Sequence, residues 1–329
     1  MKISILLPVF NTATFLPSCL DSVLAQTEEN WELLAIDDFS TDESWAILKA
    51  YQERDARIRA YQNTAKGIIP ALRLAYQKSK GSFITRMDSD DLMSPNKLGA
   101  LKSLLLKNGT GKVATALVKY FAETGIKNGY HRYENWLNSI SLTEGNFSAI
   151  YKECPIASPC WMVHRVDLER CGGFETEVYP EDYDLCFRFY AQNLQPICHA
   201  EVLHYWRDYP ERTSRNDPNY ADNRFLELKL HYFLRLEHDA ARPLCLWGAG
   251  KKGKRIARML QQQGIAFHWC CDTVNKIGRD IYGLILQPYQ VIGRLVQPQV
   301  IIAIAAPDAQ ENIHLFLEQH QLASAFFFC

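Results

Sequence analysis

The chain has 329 residues, 47% of them apolar, which is enough for two domains that each bury a core. Lys plus Arg number 36 and Asp plus Glu 37, for a net charge of -1. A general nucleic-acid binder would carry a basic excess, so that class is excluded, whereas a local basic pocket for a phosphate is not.

The first ten residues, MKISILLPVF, are apolar but too few to span a bilayer and lack a small-residue cleavage site. They read as a buried first strand over residues 2–10, followed by a loop at Asn11. Apolar residues recur at helical spacing over 13–26, and WELLAI at 31–36 is a second strand ending at Asp37-Asp38. A helix is expected over 43–54, a short strand over 57–61, a helix over 67–79 and a strand over 82–87 that ends at Asp88. This alternation predicts a largely parallel sheet with helices on both faces. Ligands bind beyond the carboxyl ends of such strands, where Asn11, Asp37-Asp38 and Asp88-Ser89-Asp90-Asp91 all fall.

Further along, a helix is expected over 95–107 and a strand over 112–121. Residues 125–150 are polar and aromatic with weak periodicity and read as a loop region. Tyr130, Tyr133, Trp136, Phe147 and Tyr151 in and beside it offer ring faces suited to stacking on a ligand. A strand at 160–165, a short helix at 166–171, a turn at Gly172-Gly173, a helix over 183–192 and a strand over 196–206 follow. Residues 207–219 form a charged loop, and an amphipathic helix is expected over 220–239. Ten cysteines are scattered along the chain, with no C-x-x-C spacing. Neither a zinc site nor a disulfide framework is therefore expected, and reduced thiols fit a cytoplasmic protein.

Two carboxylates at i and i+2 beyond a buried strand, Asp88 and Asp90, make a hard, oxygen-rich site of the kind that suits Mg²⁺ or Mn²⁺ on a diphosphate. A helix cap near Pro95 is the structural alternative for this turn, and an N-cap is the alternative for Asp37-Asp38. Glu181-Asp182 precede a helix, where the helix dipole alone favours carboxylates; a general base acting on a hydroxyl is the functional reading.

The strings LLPVFN, LLAIDDFSTD, ITRMDSDD and GGF-x6-EDYDLCFRF occur in this order over roughly residues 1–215. Together they resemble the family 2 glycosyltransferases with the GT-A fold. That resemblance implies an inverting transfer from a nucleoside-diphosphate sugar, UDP by default, to a glycan or lipid-linked acceptor. It implies that Pro8, Val9, Phe10, Asn11, Asp37 and Asp38 line the nucleoside pocket, and that Asp88 and Ser89 lie near the ribose. By the same resemblance Asp90 is the main ligand of Mn²⁺ or Mg²⁺, with Asp88 and Asp91 nearby, and Asp182 is the catalytic base beside Glu181. Lys66 and Arg86 are candidates for pocket or phosphate contacts. Relatives of this kind often carry Y-R-x-H-P after the last strand. Here Trp206-Arg207-Asp208-Tyr209-Pro210 puts Tyr209 where the His would stand, which leaves Asp208 or an extra water as the substitute ligand, and Arg207, Arg212 and Arg215 for phosphate charge or a solvated loop face. A nucleotidyltransferase would want a Gly-rich basic loop in place of PVFNTATF.

From Leu244 a new β-α-β pattern begins. Gly248, Gly250 and Gly253 form G-x-G-x-x-G after the strand LCLW, and Asp272 ends the next strand. In that context the glycines suit a phosphate at a helix N-terminus, a candidate second nucleotide site; a packing or assembly module is the alternative. The expected organisation is a GT-A catalytic domain at 1–217, a mixed, mainly parallel sheet flanked by helices. A helical linker at 218–242 and a smaller Rossmann-like α/β domain at 243–329 follow. The competing reading of the whole is a nucleotide-binding or scaffold protein acting through the C-terminal module. Cytoplasmic placement, with peripheral contact at the inner face of the membrane left open, completes the expectation.

Overall fold

The structure, a computed structural model, describes residues 1–122, 125–126, 128–210, 212 and 224–329. The chain divides into two compact units. One comprises Met1–Ser148 with Cys154–Asn216; the other comprises Ala149–Glu153 with Asp217–Cys329.

In the first unit, β1 (Ile3–Val9), β2 (Trp31–Asp37), β3 (Ile58–Gln62) and β4 (Phe83–Arg86) alternate with α1 (Leu16–Leu24), α2 (Ser44–Arg54) and α3 (Ile68–Lys78). Next come β5 (Leu92–Met93), α4 (Lys97–Asn108), β6 (Lys112–Phe121), α5 (Asn128–Leu142), β7 (Trp161–His164), α6 (Arg165–Arg170), α7 (Glu181–Ala191) and β8 (Gln195–Arg207). The eight strands form one sheet in the order β3-β2-β1-β4-β7-β6-β8-β5. β1 to β4 are mutually parallel, β7 runs against both β4 and β6, and β5 runs against β8. β1 and β2 are buried along nearly their whole length, as continuous apolar runs flanked by helices must be. The parallel half ends at Val9, Asp37 and Arg86, so the turns carrying the acidic residues leave the sheet on one edge.

The loop expected over 125–150 is instead largely helical. In α5, Leu137 is buried, and Tyr130, Tyr133, Trp136 and Ile140 pack against the core of the first unit. Helical spacing was hidden by aromatic residues interleaved with Asn, Ser and Glu. Two of those polar residues tie the helix to β6: Asn138 accepts from Val118 N at 3.0 Å and donates to Val118 O at 2.9 Å, and Glu134 accepts from Tyr120 N. Helix α7 also starts two residues earlier than expected, so Glu181 and Asp182 are its first residues.

In the second unit, α8 (Arg224–Leu236) occupies much of the helix expected over 220–239; residues 218–223 of the expected linker lie outside the described residues. A parallel sheet of β9 (Leu244–Trp247), β10 (His268–Cys271), β13 (Gln287–Pro288), β14 (Gln299–Ile302) and β15 (Ala325–Phe327) has the order β13-β10-β9-β14-β15. Helices α9 (Lys251–Gln262) and α10 (Pro307–Gln319) accompany it, and β11 (Asp280–Ile281) pairs with β12 (Leu284–Ile285) as a separate ribbon. Strand order doubles outward on both sides of β9, the Rossmann pattern. Within this unit Tyr151 stacks on Phe328 at 5.6 Å and donates to Glu237 Oε1 at 3.2 Å. Among the described residues no helix is long and apolar enough to cross a membrane.

Candidate active site

At the end of β1, Phe10 is exposed and Lys66 Nζ lies 5.2 Å from the centre of its ring. Asn11 has a φ of 49°, a left-handed conformation that Asn tolerates better than most residues, and its Oδ1 accepts from Thr41 N at 2.8 Å. That bond, with Asn11 N donating to Ser40 Oγ at 3.0 Å, fastens the β1 turn to the β2 turn. Thr12, which the sequence did not mark, donates to Ser89 Oγ at 2.9 Å and so links the β1 turn to the D-S-D-D turn.

Asp37 and Asp38 divide their labour. Asp38 accepts from Asn63 Nδ2 at 2.7 Å and from Gly67 N at 2.9 Å, holding the β3–α3 loop; helix α2 has Glu43 as its N-cap, so neither carboxylate caps it. Asp37 is 3% exposed and its Oδ1 takes no hydrogen bond among the described residues. A buried acceptor with no donor is costly, and a ligand hydroxyl or N–H is what would satisfy it.

The D-S-D-D turn does not cap α4, whose N-cap is Asn96. Asp88 Oδ1 accepts from Arg86 Nε at 2.9 Å, and Arg86 Nη1 reaches Glu181 Oε1 at 2.9 Å. Arg86 is 6% exposed, and this double ion pair binds the end of β4 to the start of α7. Burial works against ionising Asp88, but Arg86 and Arg212 outweigh it and hold the carboxyl below its usual range. Asp90 behaves oppositely: burial, then Asp91 and Asp88, push it up to about 7 against the pull of Arg212. Tyr209, in the place of the expected His, donates to Asp90 Oδ2 at 2.9 Å, and nothing among the described residues donates to Oδ1.

Asp91 is the third carboxylate of the turn that was expected near the metal. It is fully buried, its Oδ2 lies 3.0 Å from His204 Nε2, and its Oδ1 accepts from Arg207 N at 2.8 Å. Those bonds occupy both oxygens. Among the described residues no three His, Cys, Asp or Glu side chains are gathered to hold a metal ion. Asp88 and Asp90 are the two carboxylates of the turn with the i, i+2 spacing that suits a dication, and burial is the main cause of the rise of Asp90 to about 7.

Arg207 is likewise spoken for, donating to Asp90 O at 2.7 Å and lying over Phe15 and Phe121. Arg212 is buried with its charge among Asp91, Asp90 and Asp88, which raise its proton affinity against burial. Asp208 is buried, and Arg215 lies outside the described residues.

Burial and then Glu181 push Asp182 up to about 7, with Arg86 opposing. Asp182 Oδ1 accepts from Tyr183 N at 2.8 Å. Glu181, its neighbour, pairs with Arg86. The aromatic residues singled out in the sequence lie beside other rings: Tyr130 pairs with Tyr120 at 5.1 Å, Tyr133 with Trp136 at 5.7 Å, Phe147 with Tyr190 at 5.7 Å and, in the second unit, Tyr151 with Phe328 at 5.6 Å.

The sequence profile of glycosyl transferase family 2 matches residues 4–172. The chain belongs to that family. It is 39% identical over 107 residues to the Escherichia coli UDP-Glc:alpha-D-GlcNAc-diphosphoundecaprenol beta-1,3-glucosyltransferase WfgD, a match covering 32% of this chain and 42% of the relative. It is 36% identical over 100 residues to the glycosyltransferase GlyG of Streptococcus pneumoniae, covering 30% of this chain and 33% of that protein. An uncharacterised Rickettsia bellii glycosyltransferase is 32% identical over 161 residues, 49% of this chain and 22% of that protein. The chain thus spans less than half the length of these relatives.

Among solved structures, Staphylococcus aureus TarS 1–349 in complex with UDP-GlcNAc superposes with a TM-score of 0.58 at 17% identity, over 80% of this chain and 72% of that one. The mannosyltransferase PcManGT of Pyrobaculum calidifontis, in complex with GDP-Man and Mn²⁺, gives 0.51 at 19% identity, over 64% and 58%. These two likenesses concern the fold. In the second unit of the chain Gly248 has φ 130°, and a Cβ on Gly253 would lie 2.0 Å from Gly248 O, so these glycines shape the turn before α9. A Cβ on Gly250 would meet nothing within 4 Å, and Asp272 follows β10.

Proposed function

We propose that this glycosyltransferase moves a sugar, with inversion, from a UDP-sugar to a hydroxyl of a glycan or lipid-linked acceptor. The observation that carries the reading is Arg86, clamped between Asp88 and Glu181, which brings the D-S-D-D turn and Asp182 to one place. Donor nucleoside lies against residues 8–11, with the buried Asp37 Oδ1 accepting one of its polar hydrogens. Lys66 is exposed beside Phe10, within reach of phosphate charge. Asp90 and Asp88 would hold Mn²⁺ or Mg²⁺, which would supply positive charge at the nucleoside diphosphate. Asp182 takes the proton of the acceptor hydroxyl as its oxygen bonds to the anomeric carbon and the bond to the diphosphate breaks on the opposite face. A carboxylate raised to about 7 is a far better proton acceptor than an ordinary one and is about half ionised at neutrality.

UDP is favoured because the WfgD name specifies UDP-Glc and TarS holds UDP-GlcNAc; the diphosphoundecaprenol acceptor in the WfgD name favours a lipid-linked acceptor here. Such an acceptor implies work at the inner membrane face. The Gly248-Gly250-Gly253 turn is a separate proposal for a second nucleotide site, supported by the open space before Gly250.

Kinetics of Asp182→Asn test the assignment. Transfer should fall by roughly 10²–10⁴-fold, the usual contribution of a general base, while UDP-sugar binding stays near wild type. An equal loss of binding would show Asp182 to be part of the donor site instead.

A further inference from the structure

Beneath the D-S-D-D turn lie three ionisable side chains with no solvent exposure: Lys97 on α4, His204 on β8, and Asp91 itself, each 0% exposed. Lys97 Nζ donates to Pro159 O at 2.6 Å and lies 3.0 Å from His204 Nδ1. His204 Nε2 lies 3.0 Å from Asp91 Oδ2. Burial lowers the proton affinity of Lys97, and Asp91 and Asp88 oppose that; in its ammonium form Lys97 can only donate, so Nδ1 then accepts and the ring proton sits on Nε2, facing Asp91. The other oxygen of Asp91 accepts from Arg207 N, and Arg207 Nε donates to Asp90 O. The chain of bonds therefore runs from the core of α4 through a histidine of fixed tautomer to both carbonyl and carboxylate groups of the turn.

Burying three ionisable groups is expensive, and an apolar core in their place would give ordinary stability. Their arrangement makes sense where a rotamer and a backbone position must be held against the repulsion of Asp88, Asp90 and Asp91. We propose that Lys97 and His204 are positioning residues for the donor site, acting through Asp91 to hold Asp90 where a nucleoside diphosphate and its divalent cation bind. This rests on the reading of Asp88 and Asp90 given above. Groups that orient a ligating carboxylate through a second hydrogen bond usually change affinity by about 10–100-fold when removed.

Three variants separate positioning from mere packing. His204→Gln places an amide N–H near the position of Nε2; His204→Phe fills the volume without a donor; Lys97→Met removes the group that fixes the tautomer. Nitrogen NMR of His204 in the full-length wild type should show a single Nε2–H tautomer, and Lys97→Met should admit the Nδ1–H form. Calorimetric titration with UDP in Mn²⁺ should show about tenfold weaker binding for His204→Phe and near wild-type binding for His204→Gln. An Nδ1–H tautomer in the wild type overturns the proposal. So does a His204→Phe protein whose melting temperature drops while its UDP affinity is unchanged, because the chain then only supports the fold. A wild type that binds no UDP with Mn²⁺ overturns the donor-site reading and the proposal with it, and the tautomer result tells the two failures apart.

Discussion

Asp182 and Asp90 carry the same side chain and are both pushed up to about 7, but for different uses. For Asp182 the active form is the carboxylate. Because its proton affinity is raised, transfer should be limited by protonation below about pH 7, falling about tenfold per unit under that point and levelling above it. Glu181 is the largest neighbouring cause of the rise after burial. Glu181→Gln removes that repulsion and one of the carboxylates that neutralise Arg86, both of which favour the Asp182 carboxylate. The acid limb of the pH–rate profile should therefore move to lower pH; a limb that stays in place would assign it to another group. The acidic turns could be read from the sequence because strand ends and carboxylates coincide in it. Asp91, Lys97 and His204 could not be assigned, since a sequence shows which residues are acidic and not which are consumed by a partner. A signal was present all the same. Lys97 precedes Leu101 and Leu105 at steps of four, the buried face of α4, and His204 alternates with the buried Trp206 on β8.

At the scale of elements, apolar run length marked β1 and β2, because continuous burial on both faces leaves a continuous apolar string, while β3, buried only at Ile58, was marked by its place between two helices. Period and run length failed for α5, where the inward residues are half-buried aromatics and the outward ones turn-forming polar residues, so contrast between faces is low. The two-residue strands β5, β11, β12 and β13 are too short to show a period at all. Glycine spacing in the second unit told more. Gly253 has no room for a Cβ, which would lie 2.0 Å from the backbone oxygen of Gly248. Gly253→Ala should therefore push α9 away from β9 and destabilise the second unit by about 1–3 kcal/mol, the usual penalty of overpacking. Thermal unfolding of the variant checks this. Gly250→Ala serves as its control, since a Cβ there meets nothing within 4 Å.

For the whole molecule, the family match covers residues 4–172 and ends before Asp182, so its reach stops short of the proposed base. What joins the two acidic sets is Arg86, a residue whose pairing with both Asp88 and Glu181 only the fold reveals. The second unit falls outside the family match apart from Ala149–Glu153, the segment whose Tyr151 stacks on Phe328. The central claim is that the D-S-D-D turn of the first unit is the donor site. It is tested most directly by calorimetric titration of UDP with and without Mn²⁺ into wild type, Asp90→Ala and Gly250→Val. The account predicts Mn²⁺-dependent binding that is lost in Asp90→Ala and kept in Gly250→Val. Metal-independent binding that survives Asp90→Ala and disappears in Gly250→Val would contradict it and place the nucleotide in the second unit.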